Sequence, residues 1–191
     1  LRMTHDSTPN LQLATILEAI QNRDYPDSME QIKAYVAMLE TEERFYQARQ
    51  LLNHVRDKYR SIRQFQSEST ETKWWQTDAA QDEVWVTQKQ AFFIYKNPEL
   101  PPRTRFNDAL SLLEEIGLRD STNLNAETLG LGGAAYKQKW QHFGQLEDLI
   151  EALFFYRAAF ERNPQQDMGY GGINAALILD ILADRAKRIA R

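Results

Sequence analysis

Apolar residues in this chain recur every three or four positions, and little interrupts them. Only eight glycines and six prolines stand in 191 residues, and no segment shows the period of two that a half-buried strand requires. The spacing therefore predicts an all-α chain. A first helix near residues 11–22 buries Leu13, Ile16, Leu17 and Ile20, and a second starts at Asp27 and Ser28 after Pro26 and runs to about Leu39. Thr41, Glu42 and Glu43 suit the start of a third helix, because carboxylates there meet the positive end of the dipole. Arg44 stands where a capping box would need Glu or Gln. Residues 64–73, QFQSESTETK, are polar and aperiodic and read as a loop. Further helices are expected over 82–96, 104–116, 126–143 with Asn125 as cap, 146–162, and from about Gly171 onward. Short turns between them make successive helices antiparallel neighbours.

Composition narrows the function classes. A formal net charge of −4 argues against a chain built mainly to bind nucleic acid or anionic membrane. Zero cysteines remove disulfide and thiolate chemistry and fit a cytoplasmic protein. No run reaches the roughly 18 apolar residues of a membrane span, and the N-terminus lacks the apolar segment of a signal peptide. The length suggests one domain over 1–191. Starting on Leu1 and ending inside a helical pattern, the chain reads as part of a longer protein.

Self-similarity adds architecture. Ala48-x3-Leu52-x2-Val55, Ala109-x3-Leu113-x2-Ile116 and Ala152-x3-Tyr156-x2-Ala159 repeat one pattern, a small residue where helices approach and larger apolar residues one and two turns on. Pro164 follows the third copy where a tetratricopeptide repeat ends its second helix. The copies lie 61 and then 43 residues apart, against 34 in a regular array. A degenerate helical repeat, a right-handed tetratricopeptide-like array of about eight antiparallel helices, accounts for both facts.

The ordered series FIYKNPELPPRTRFNDALSLLEEIGLRD, ETLGLGGAAYKQKW, LEDLIEALFFYRAAFERNP and GYGGINAALILDILA covers about residues 84–183. It resembles the TRAF-binding, tetratricopeptide-like region of apoptosis signal-regulating kinases and its bacterial relatives. The resemblance implies an adaptor or regulatory module, which in the kinases precedes the kinase domain and helps control activation. No kinase signature occurs in this sequence, so any catalysis lies outside it.

Within ETLGLGGAAYKQKW, Gly130, Gly132 and Ala135 match the G-x-G-x-x-A spacing of a dinucleotide loop. Such a loop needs a buried strand before it and a helix N-terminus facing the pyrophosphate. RDSTNLNAE cannot supply that strand, and Lys137 does not complete a Walker loop. The steric reading is that Gly130, Gly132 and Gly133 let another helix approach closely, with Gly171, Gly172, Ala175 and Ala176 as the facing surface.

No catalytic residue, metal site or cofactor is expected. His5, His54 and His142 lack the i, i+4 spacing of a helical metal site, pairs such as Glu147 and Asp148 read as solvated surface, and no nucleophile elbow surrounds a serine. Adjacent Trp74 and Trp75 in a polar context cannot both face one core, so either both pack under a loop or at least one is exposed or serves an interface, including a homodimer. Between Arg44 and Arg63 six basic residues face one acid, and Arg49, Arg56, Arg60 and Arg63 line one helix face. That face is either solvated or a dock for an acidic or phosphate-bearing partner. The expected function is a non-catalytic scaffold that presents Asn174, Tyr170, Lys137 and Arg157 on a concave face to a partner protein or neighbouring domain. The alternative is a nucleotide- or nucleic-acid-responsive regulatory domain using the glycine segment or the basic helix.

Overall fold

Helices form wherever the three-to-four spacing runs uninterrupted, and polar side chains mark their ends. The computed structural model describes residues 8–64 and 73–190, and among these every regular element is helical. Contacts cluster in two units that divide after Glu68, where length alone suggests a single domain.

The first unit holds α1 (Thr8–Gln21), α2 (Met29–Thr41) and α3 (Phe45–Gln64). Its interior is Leu13, Ile16 and Ile20 against Ile32, Val36 and Leu39 and against Ala48, Leu51, Leu52 and Val55. Leu17, expected inside, is half-buried. Ser28 caps α2, its hydroxyl accepting from the Gln31 amide at 3.3 Å. Thr41 does not open α3. It ends α2, its hydroxyl donating to the Ala37 carbonyl at 3.0 Å, and Glu43 turns the chain with φ of 51° before α3 begins. The polar run still contained no hydrophobic periodicity to fix that boundary. Of the loop expected over 64–73, Gln64 closes α3, Lys73 precedes a 3-10 turn, and the residues between lie outside the described ones.

The second unit begins with two single-turn 3-10 helices, Trp74–Gln76 and Asp78–Ala80. It continues through α4 (Gln81–Lys96), α5 (Pro102–Glu115), α6 (Ala126–Phe143), α7 (Leu146–Arg162), the one-turn α8 (Pro164–Asp167) and α9 (Tyr170–Ile189). Helix α8 is additional to the sequence expectation. Asn163 accepts from the Gln166 amide at its start and Pro164 occupies its first turn, a combination that marks a helix N-terminus. Packing is sequential: α4 on α5, α5 on α6, α6 on α7 and α7 on α9, with α6 also meeting α4 and α9. Helices α4, α6 and α9 are therefore the first members of successive helix pairs, and α5 and α7 the second members, as in a repeat array. Two of the three Ala-x3-apolar copies start on the second members α5 and α7, with Ala109, Leu113, Ile116, Ala152, Tyr156 and Ala159 buried, and the first lies on α3 with Ala48, Leu52 and Val55 buried.

The α5–α6 connection is held by polar side chains rather than by length. Gly117 takes a φ of 78°, and the Asn123 amide donates to the Ile116 and Gly117 carbonyls at 3.2 and 2.9 Å. Asn125 then caps α6 as expected, accepting from the Thr128 amide at 3.0 Å. The Lys73 ammonium pairs with Asp120, whose carboxyl is held down at about 2 by that contact and by the Thr122 hydroxyl and amide.

Candidate partner-binding face

Glycine positions decide how closely the helices of the second unit meet. A Cβ on Gly133 would lie 2.8 Å from the Tyr156 ring, and one on Gly132 would lie 2.5 Å from Leu118. At Gly171 a Cβ would fall 2.5 Å from the Tyr156 carbonyl oxygen, and at Gly172 3.1 Å from the Phe160 ring. Gly130 is different, since its nearest neighbours are Tyr170 ring carbons at 3.7 Å, an ordinary contact. The two glycine groups therefore do not face one another, as the sequence pattern implied. Gly171 and Gly172 receive α7, whereas Gly133 admits the Tyr156 ring and Gly132 the Leu118 side chain. All three α6 glycines sit inside the helix, where backbone N–H groups are consumed by the i−4 carbonyls. They offer no cradle for a phosphate.

On the same side of the unit, three of the residues singled out for a partner come together. Lys137 of α6 donates to Asn174 Oδ1 of α9 at 2.7 Å, and Asn174 Nδ2 donates to the Tyr170 carbonyl at 2.9 Å. The Lys137 ammonium also lies 5.6 Å from the Tyr156 ring centroid, and Tyr156 meets Tyr170 edge-on at 5.8 Å. Tyr170 remains half-exposed, so its ring forms the open wall of this cluster. Burial and the neighbouring Lys96 of α4 both push the Lys137 ammonium below its ordinary value. Lys96 itself lies 5.8 Å from the Tyr95 ring and 6.0 Å from Phe92. It was not singled out by sequence reasoning. The available signal was its seven-residue offset from Lys89, which puts both lysines on one α4 face.

Arg157 is not part of this group. It pairs with Glu161 one turn on, at 2.7 Å, on the exposed strip of α7 that also carries Ile150 and Phe154. Helical phase turns that strip away from Tyr156 and Ala159, which face α6 and α9.

The other expected surfaces are also revised. Arg56 is 7% exposed, and Arg49, Arg60 and Arg63 are half-buried, so α3 does not present an open row of four cations. Trp74 and Trp75 both pack against the second unit's core, with rings 6.0 Å apart and at 88°. A 3-10 turn separates adjacent side chains by about 120°, and two perpendicular rings can then reach one core. Asp148 is buried and paired with Lys139 at 2.8 Å rather than solvated. Near it, Tyr136 stacks on Phe155 at 5.6 Å and accepts from Arg119, which also pairs with Glu151, each at 2.7 Å. His54 stacks on Tyr25, and His142 meets Phe143 edge-on. His5 lies outside the described residues. Among the described residues no helix is long and apolar enough to cross a membrane.

The sequence profile of the Tetratricopeptide Repeats-Sensor family matches residues 71–179, more than half of the chain. The chain belongs to this family. The Tetratricopeptide Repeats-Sensor match includes α4 to α8 and much of α9, and with them Lys96, Lys137, Tyr170 and Asn174. Comparison with curated proteins and with solved structures gives no match.

Proposed function

We propose that this chain is a non-catalytic interaction and sensing scaffold of a cytoplasmic signalling or effector protein, which receives a partner on the face made by α4, α6 and α9. The observation that carries the reading is the convergence of Lys137, Asn174 and half-exposed Tyr170 from two helices that are not consecutive in the array. Repeat proteins use such a face, because the first helices of successive pairs stand side by side and offer a continuous surface. The family name and the likeness to the regulatory region of apoptosis signal-regulating kinases support the same role. The occupant is a protein segment or a domain of the parent protein.

A photo-crosslinking amino acid at position 170, compared with one at position 154 on the exposed strip of α7, tests this in the native host. Adducts from 170 and none from 154 are expected. Equal adducts from both positions, or none from 170, overturn the assignment of the face.

A further inference from the structure

Helix α9 is apolar on more sides than its packing uses. Between Gly171 and Ala183 only Asn174 and Asp180 are polar, and a helix that is apolar all round is one that is covered all round. Only Gly171, Ala175 and Ile178 are buried, however, while Leu177 and Leu179 are each 51% exposed. A helix that caps a repeat array carries a polar outer face, and α9 does not.

A second observation says what belongs on this helix. The glycine pair of α6, Gly132 and Gly133, recurs 39 residues on as Gly171 and Gly172 of α9. In α6 the first glycine receives the preceding second member of the array and the second glycine receives the following one. A Cβ on Gly132 would strike Leu118, just past the end of α5, and one on Gly133 would strike the Tyr156 ring of α7. In α9 the first glycine keeps that role, since a Cβ on Gly171 would strike the Tyr156 carbonyl oxygen of α7. Gly172 therefore holds the position at which α6 takes its own second member. Its neighbour is the ring of Phe160, itself 45% exposed, at the edge of α7. The same step of 39 residues carries Trp140, packed against the core, to half-exposed Leu179. Gly172, Ala176 and Leu179 are spaced four and three apart, so they share one side of α9. Asn174 stands two residues from both Gly172 and Ala176, so that side faces away from Lys137.

We propose that this side of α9, edged by Phe160, is the docking site of an amphipathic helix that is not part of these 191 residues and that lies on α9 as α7 lies on α6. The α6–α7 pair states the chemistry of the incoming helix. An aromatic ring sits over Gly172 as Tyr156 sits over Gly133, and an alanine stands one turn before it as Ala152 does. Polar side chains occupy its outer side. Gly172 lets the two axes approach at the short end of the roughly 8–10 Å range, and the bound helix covers Leu179 and Phe160. The site is separate from the face that carries Lys137 and Asn174, so either can fail without the other.

The probe is a synthetic peptide of residues 146–162, the sequence of α7 itself, titrated into the full chain with amide NMR shifts for location and fluorescence anisotropy for affinity. It should shift the amides of Gly172, Ala176 and Leu179. Leu177 and Leu179 are equally exposed but lie on different sides of α9. Leu179→Lys should therefore weaken binding at least about tenfold, because it buries a charge under the peptide, and Leu177→Lys should leave it unchanged. General stickiness of the helix cannot produce that contrast. Both side chains are half in water, so neither variant should alter the urea midpoint, and loss of binding is then not loss of fold. Tyr156→Ala in the peptide alone should weaken binding by a similar factor. No saturable binding at millimolar peptide, or an equal effect of the two lysine variants, overturns the proposal. Amide shifts centred on Gly133 also overturn it, since the peptide is then replacing α7 in its own position. So does concentration-dependent dimerisation that Leu179→Lys abolishes, which makes a second copy of the chain the occupant.

Discussion

One substitution made at two glycines separates helix packing from helix propensity. Alanine is more favourable than glycine in a helix by about 1 kcal/mol, so Gly130→Ala, whose new methyl meets only Tyr170 ring carbons at 3.7 Å, should stabilise the second unit by up to that amount. Gly171→Ala puts the methyl 2.5 Å from the Tyr156 carbonyl oxygen and 2.7 Å from Asp167 Oδ1. The first of these is backbone in the middle of α7 and cannot rotate away. The second is the carboxylate that accepts from the Gly171 amide at 2.8 Å. Helix α9 must therefore move off α7, and overpacking of this kind costs about 1–3 kcal/mol. Position 171 lies in the first turn of α9, where the gain from propensity is smaller than at 130. The two variants should thus differ by about 1–4 kcal/mol and carry opposite signs. The assay is equilibrium urea unfolding followed by tryptophan emission. All four tryptophans, Trp74, Trp75, Trp85 and Trp140, belong to the second unit, so the signal reports that unit alone. Midpoint shifts at constant slope give the free-energy differences. If both variants shift the midpoint the same way, close packing of α9 on α7 is not what Gly171 is for.

Three further outcomes are expected. The Asp120 carboxyl titrates near 2 in the folded chain against an ordinary value of 3.8, so its pairing with Lys73 contributes stability that is full above about pH 4 and lost as pH falls toward 2. The midpoint difference between wild type and Asp120→Asn should shrink over that window, and a difference independent of pH refutes the link. Asn125→Ala removes the cap of α6 and one acceptor of the Gln88 amide, and should destabilise the second unit by about 0.5–2 kcal/mol in the same urea assay. Lys139→Met leaves buried Asp148 without its counter-charge, whereas Asp148→Asn leaves a lysine that can extend into water. The first should cost more, up to about 3–5 kcal/mol, and the reverse order would show that the pair is not held by burial of the carboxylate.

The helices were legible because their cause is local. Apolar spacing at 126–143, a capping Asn125 and the two prolines after Leu100 each act within a few residues, and α4 to α7 lie close to where the pattern put them. Errors arose where local signals compete. Thr41 with Glu42 and Glu43 is as good a helix start as Ser28 with Glu30, and only the turn at Glu43, with its positive φ, decides between a cap and a helix end. Helix α8 escaped because four residues cannot show a period, although Asn163 and Pro164 announce it.

The face of α4, α6 and α9 was legible in part, for a physical reason. Lys137, Asn174 and Tyr170 lie at predictable phases of their own helices, but Arg157 shares that sequence neighbourhood and ends on the far strip of α7. Whether a charge is compensated is not a property of one helix at all. Lys137 and Lys139 stand two positions apart, so they point to different sides of α6. One meets Asp148 and the other meets Asn174 and the Tyr156 ring. Composition shows more acid than base in this chain, yet no carboxylate among the described residues pairs with Lys137. Packing leaves few positions of the first helices in water: α4 has no exposed residue between Glu83 and Tyr95 and α6 none between Thr128 and Trp140, so Lys96 and Tyr170 stand at helix ends. The pairing of such residues becomes visible only when the helices are brought together.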